Sequence, residues 1–290
     1  MNPALHSVRI LAASFCAVSA LALSPSAFAQ VIYLNEDFEG ETIGQPPTNP
    51  VQRNAVQVTV AAGSGPFAGT NVADYNDISA SGGGDLEYNV GASGLGNMYV
   101  SFDLLNVAPG GAGTAANPII FGVGTWNNAA GALLGANANR AFGVEYYQTG
   151  AASTLRLRVA GTAVYTTSYS MSSIQNVEIF INDSDLTTLS YTRPDGLGTA
   201  SLAVDSFVVY VNGTLAGAAA TGYAMNTAIT TGDSNLGRLG FNSSSTTVTH
   251  FNIDNIYVTS VVPEPAAVAL LGLTGISILA FRRRKVLRSL

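Results

Sequence analysis

Charge and cysteine are scarce in this chain. Only 10% of its 290 residues are charged, against roughly 25% in ordinary soluble domains. Gly, Ala, Ser, Thr and Asn fill the deficit. They make a neutral, polar surface that suits an extracellular β-protein better than a cytosolic enzyme. The one cysteine, Cys16, lies near the N-terminus, so the body of the chain has neither disulfides nor thiolate metal sites. Phe15 precedes it, where a lipid-modified cysteine needs a small residue. Past His6 the only histidine is His250. A Ser-His-Asp triad would have to use it, and no Gly-x-Ser-x-Gly elbow accompanies it. His250 therefore reads as a surface or strand-end residue. Between Gln30 and Ser260 no segment keeps a helical period and none repeats.

The few charges are segregated. Five of the 12 basic residues fall in the last nine positions, and all 18 acidic residues fall between Glu36 and Glu264. From Gln30 to Pro265, six arginines against 18 carboxylates leave −12. Such a body repels phosphate backbones, which argues against nucleic-acid binding. It is compatible with Ca²⁺ or with neutral glycans.

Both ends carry addresses. Residues 1–29 follow the secretory pattern: His6 and Arg9, an apolar run from Ile10 to Leu23, Pro25, then Ala27-Phe28-Ala29. The apolar run is shorter than the roughly 20 residues a membrane span needs, so cleavage between Ala29 and Gln30 is expected. The opposite end, 261–290, has three parts. Val262-Pro263-Glu264-Pro265 comes first, and Ala266 to Phe281 then has no charge. The basic cluster Arg282-Arg283-Arg284-Lys285 follows. As one helix, residues 266–281 would reach about 24 Å at ~1.5 Å per residue. The arginines would stay cytoplasmic, with the body outside.

This tail resembles the PEP-CTERM sorting signal: a Pro-Glu-Pro motif, one membrane helix and an Arg-rich end, in that order at the C-terminus. The resemblance implies recognition by a membrane-embedded exosortase and processing near Pro263-Glu264-Pro265. It also implies a protein that is single-pass in the inner membrane before processing and then at the cell surface or in exopolysaccharide matrix. Two prolines keep the motif extended and non-helical, accessible to a protease just outside the bilayer.

Residues 30–260 are punctuated like one all-β domain. Leu155-Arg156-Leu157-Arg158-Val159 alternates, with both arginines on one face. Ile119–Val123, Phe142–Tyr147, Val177–Ile181 and Phe207–Val211 are β-branched and aromatic. Ala160-Gly161, Asn182-Asp183, Pro194-Asp195-Gly196 and Asn212-Gly213 supply turn signals. The Gly/Ala-rich stretches Pro109–Asn117 and Asn127–Asn139 read as surface excursions. Asn35-Glu36-Asp37-Phe38-Glu39-Gly40, Phe207 to Leu215 and His250 to Val258 together resemble concanavalin A-like (laminin-G-like) lectin and glucanase domains. The resemblance implies a jelly-roll β-sandwich whose first and last strands pair.

Candidate sites follow. In the modules resembled, Ca²⁺ often staples the terminal strands. Asp37, Glu39 and Asp254 are the carboxylates offered here, and oxygen ligands are what Ca²⁺ takes. Apolar positions shift from Phe251 and Ile253 to Ile256 and Val258, which places a β-bulge at Asp254-Asn255. Sugar-binding modules stack ligands on exposed aromatics, for which Trp126, Tyr146 and Tyr147 are the candidates. Laminarinase-type relatives carry Glu-x-Asp-x-x-Glu on one strand. No such spacing occurs here, and Glu145 and Glu178 stand isolated, so no catalytic residue is assigned. The expectation is a non-enzymatic surface or matrix protein with a structural or adhesive role. A lectin-like module that contacts exopolysaccharide, with or without Ca²⁺, is the first alternative, and a glycoside hydrolase is the second.

Overall fold

Alternation of apolar and polar side chains decides which face each strand buries. The computed structural model describes residues 30–50, 52–53, 57–77, 83–91, 93–107, 119–126, 134–149, 152–169, 173–232, 234–243 and 249–261. The expected signal peptide with Ala29 lies outside the described residues. So does the tail, with Val262, Pro263, Glu264, Pro265, Arg282, Arg283, Arg284 and Lys285.

Among the described residues the strands are β1 (Ile32–Glu36), β2 (Gln52–Arg53), β3 (Val58–Ala62), β4 (Asn71–Asp77), β5 (Asp85–Asn89) and β6 (Asn97–Asn106). They continue with β7 (Ile119–Thr125), β8 (Phe142–Thr149), β9 (Ala152–Val159), β10 (Thr162–Ser168), β11 (Gln175–Asn182) and β12 (Leu189–Thr192). The last are β13 (Thr199–Leu202), β14 (Ser206–Val211), β15 (Thr214–Ala216), β16 (Tyr223–Ala224), β17 (Leu236–Ser243) and β18 (Thr249–Thr259). No helix among these residues is long and apolar enough to cross a membrane.

The strands form two main antiparallel sheets. A nine-stranded sheet runs β15-β14-β11-β6-β18-β4-β3, with β1 beside β18 and β16 beside β14. A seven-stranded sheet runs β10-β9-β8-β7-β17-β5-β2. Odd positions of β7 (Ile119, Phe121, Val123) and even positions of β8 (Phe142, Val144, Tyr146) enter the core, as do Val100, Phe102 and Leu104 of the facing β6. Phe142 stacks on Phe207 of the other sheet at 3.9 Å, and Phe102 meets Phe121 and Phe241 at 4.8 and 4.9 Å. Each such ring contributes about 1.5–3 kcal/mol by leaving water. The result is an all-β sandwich, and Gln30–Val261 forms a compact unit with its own core.

The first and last strands pair as expected, with Leu34 opposite Val258 and Glu36 opposite Ile256. The bulge also stands where parity placed it: register slips between Asp254 and Tyr257, and Asn255 has φ 53°. It marks the point where the neighbour on one edge of β18 changes from β4 to β1. Ala160-Gly161 (φ 48° and 84°) and Asn212-Gly213 (φ 51° and 70°) close two hairpins. Both turns need left-handed backbone at two successive residues.

Asn182-Asp183 behaves differently. Both residues are buried, and Asp183 accepts the Asn235 and Leu236 N–H groups at 2.7 and 3.1 Å. Its short carboxylate tethers a neighbouring loop instead of opening a turn. On the outer face of the nine-stranded sheet, the hairpin β12–β13 seals a second apolar cluster. Phe180, Tyr191, Leu202, Val208 and Tyr210 meet there, and the two tyrosine hydroxyls lie 3.0 Å apart.

Candidate functional site

The same alternation that fills the core sends the opposite parity of the seven-stranded sheet outward. There β7 and β8 present glycines, and residues 134–140 lie across them. A Cβ on Gly124 would come within 2.3 Å of the Asn139 carbonyl oxygen, and one on Gly122 within 3.3 Å of Leu134. Leu134 is fully buried. The described part of the expected surface excursion 127–139 is therefore a strap packed on the sheet, seated by the missing side chains. Arg140 ties the strap by donating to the Leu134 and Gly135 carbonyls at 2.9 and 3.0 Å. Burial and the neighbouring Arg158 pull the Arg140 pKa down to about 10, against Glu145. It stays charged at neutral pH.

On one flank of the strap, β5 and β17 bring Glu87 and Arg238 together. Glu87 is fully buried and accepts from Arg238 Nε at 2.6 Å, Asn242 Nδ2 at 2.9 Å and the Leu134 N–H at 2.7 Å. Two residues away on the same face, Asp85 is pushed up to about 6, by burial first and by Glu87 second, with Arg238 opposing.

On the other flank, β8 and β9 set Glu145 between two arginines. Arg158 donates to Glu145 Oε1 at 2.6 Å, and Arg156 Nε lies 3.4 Å from Oε2. Glu145 is buried, while the Arg156 and Arg158 side chains stay 25% and 24% exposed. The Arg156 guanidinium sits 3.7 Å above the centre of the Tyr147 ring. Glu145, read as isolated, is thus the shared partner of the two arginines that alternation placed on one face.

The aromatic candidates separate. Tyr146 is 1% exposed and belongs to the core, meeting Tyr169 edge-to-face at 4.8 Å. It offers no ring to a ligand, because β8 parity turns it inward. Tyr147 lies on the outer face, but Ile119 pairs with Tyr146, which puts Tyr147 and Trp126 at opposite ends of β7–β8. At ~3.3 Å per residue they stand about 25 Å apart, too far to hold one sugar ring. One face of Tyr147 is already covered by Arg156.

The Ca²⁺ candidates each accept a backbone N–H. Asp37 accepts the Glu39 N–H at 3.1 Å, and Glu39 accepts the Asn71 N–H at 2.9 Å. Asp254 is buried in the bulge and accepts the Asn255 N–H at 2.8 Å. Its pKa is raised to about 6, chiefly by burial, and Asp103 and Glu39 push the same way. Among the described residues, no group of three or more His, Cys, Asp or Glu side chains could hold a metal ion. His250 sits at the start of β18 with Nε2 2.6 Å from Asp74.

The Glu87–Arg238 pair was missed from sequence. Asp85-Leu86-Glu87 and Arg238-Leu239-Gly240 carry charge on alternate positions of apolar strands, and that was the available signal.

The C-terminal residues 261–285 match the family model of the PEP-CTERM protein-sorting motif. The chain carries a PEP-CTERM sorting motif. It marks an exported protein anchored at the membrane before an exosortase processes it. No curated protein matches the chain. The body is similar in outline to solved β-sandwich domains. The carbohydrate recognition domain of Emp47p is 11% identical, covers 82% of this chain and 100% of its own, and has TM-score 0.49. Lectin II from Ulex europaeus is 14% identical, with 78% and 98% covered and TM-score 0.44. A GH131 β-glucanase catalytic domain from Podospora anserina is 12% identical, with 80% and 85% covered and TM-score 0.38. These likenesses assign no residue role to this chain.

Proposed function

We propose that this protein is exported, tethered in the inner membrane by its C-terminal segment, and released by an exosortase to the cell surface or matrix. There its body serves as a non-enzymatic polysaccharide-binding module. The observation that carries this reading is the motif at 261–285 directly behind a body that folds around its own core and ends on β18. A span of 16 uncharged residues, about 24 Å as a helix, suits a temporary tether better than a permanent anchor.

The non-enzymatic reading is supported by how the carboxylates are held. Glu87 and Glu145 are each engaged by arginine, and the strap 134–140 lies on the sheet between their flanks. Glycoside hydrolysis needs two carboxyl groups facing one open space. The test is deletion of residues 262–290 followed by fractionation of cells and medium. The full chain is expected at the surface or in the matrix. The truncated chain is expected to lose that location, and an unchanged distribution would overturn the sorting assignment.

A further inference from the structure

The charge of the outer face is unevenly shared. Of the six arginines in a body of net −12, Arg140, Arg156 and Arg158 gather around one carboxylate, Glu145. The nearest approach of Arg156 to Glu145 is through Nε, at 3.4 Å. Its two terminal nitrogens have no hydrogen-bond partner among the described residues. They form the fork that pairs side by side with a carboxylate. The guanidinium lies on the Tyr147 ring at 3.7 Å, which fixes its plane before any ligand arrives.

Hydroxyls surround this fork. Residues directly opposite on neighbouring strands share a face. Arg156 faces Thr166 across β9–β10, and Thr154 faces both Tyr147 and Ser168. Thr166 and Ser168 are exposed on the outermost strand.

We propose that this flank binds an anionic polysaccharide, with a uronate carboxylate on the Arg156 fork and sugar hydroxyls on Thr154, Thr166 and Ser168; Arg158, whose terminal nitrogens already donate to Glu145 and the Gly161 carbonyl, adds positive charge beside it. Tyr147 acts as the shelf that holds Arg156, in place of stacking on sugar. The body's overall negative charge does not forbid this. In physiological salt, charges act over about 8 Å, so the local surplus of arginine decides. The inference rests on the polysaccharide-binding reading and names its ligand class.

The test is affinity electrophoresis of residues 30–261, the unit with its own core, through gels containing polygalacturonate. Parallel gels contain the same polymer with its carboxyls reduced, or polyglutamate. Retardation is expected in polygalacturonate alone. Arg156→Gln should weaken it about tenfold, while Arg156→Lys, which keeps charge without the fork, should fall between. Unfolding midpoints should fall by no more than about 4 °C, since the ion pair and ring contact of Arg156 are both partly open to water. Equal retardation by the reduced polymer would refute the anion site and leave polysaccharide binding standing. Equal retardation by polyglutamate would show charge without sugar and refute the site. No retardation by either polysaccharide would refute this site and count against the binding reading as well.

Discussion

Two flanks of one sheet use the same chemistry for different ends. At Glu87–Arg238 one arginine meets one carboxylate, both all but hidden from solvent, and an asparagine and a strap N–H complete the carboxylate's partners. At Glu145 one carboxylate meets two arginines, each about a quarter exposed. The first arrangement is closed, with buried Asp85 beside it and no positive charge to spare, so its worth is structural. The second is open and carries spare positive charge, so its worth is in what it can still bind. A low-charge chain makes the contrast legible, because few other ions compete on this face.

The largest expected effect breaks the closed flank. Glu87→Gln takes from buried Arg238 the carboxylate it is bonded to, leaving Asp85 nearby as counter-charge, and should cost about 3 kcal/mol. Glu145→Gln, where Arg156 and Arg158 can turn to water but buried Arg140 loses a nearby carboxylate, should cost less, about 1–2 kcal/mol. Thermal unfolding of the two variants side by side checks this. Next comes the strap that separates the flanks. Gly124→Ala drives a methyl against the Asn139 carbonyl and should cost about 1–3 kcal/mol, seen as a lower midpoint and faster hydrogen exchange at residues 134–140.

A smaller effect is pH-dependent. Asp85 is held at about 6, above its ordinary 3.8, so the folded state binds its proton more tightly than the unfolded state. Stability then falls as pH rises from about 4 to about 6.5, by on the order of 1–2 kcal/mol. Asp85→Asn should flatten that part of the curve. Asp254 and Asp183, raised to about 6 and about 7, keep a residual slope of the same sign. The smallest effect is Tyr147→Leu, which removes the shelf under Arg156. It should cost about 0.5–1 kcal/mol and weaken polygalacturonate retardation a few-fold.

Much of the sandwich was legible because period-two alternation is local. Leu155 to Val159 fixed a face, Asn212-Gly213 fixed a hairpin, and the parity change at Asp254-Asn255 fixed a bulge. The tail was legible because its order of prolines, apolar run and arginines is specific. The site was less so. Alternation gave Arg156 and Arg158 a common face, but Glu145 joins them only through the β8–β9 register. Glu87 and Arg238 are 151 positions apart and meet through non-local pairing, which no short window contains. Tyr146 and Tyr147 show the limit from the other side. Both are aromatic, and only the parity of β8 tells which one is core. The Gly/Ala-rich composition of 127–139 suggested a surface loop, yet glycines on the strands beneath it made room for the strap.

The division of labour between the flanks is tested most directly by polygalacturonate retardation of Glu145→Gln. Removing the lone carboxylate of the open flank adds to its positive surplus. The variant should therefore bind several-fold more tightly than the parent chain while unfolding within about 6 °C of it. Weaker or unchanged retardation of the folded variant would contradict the account.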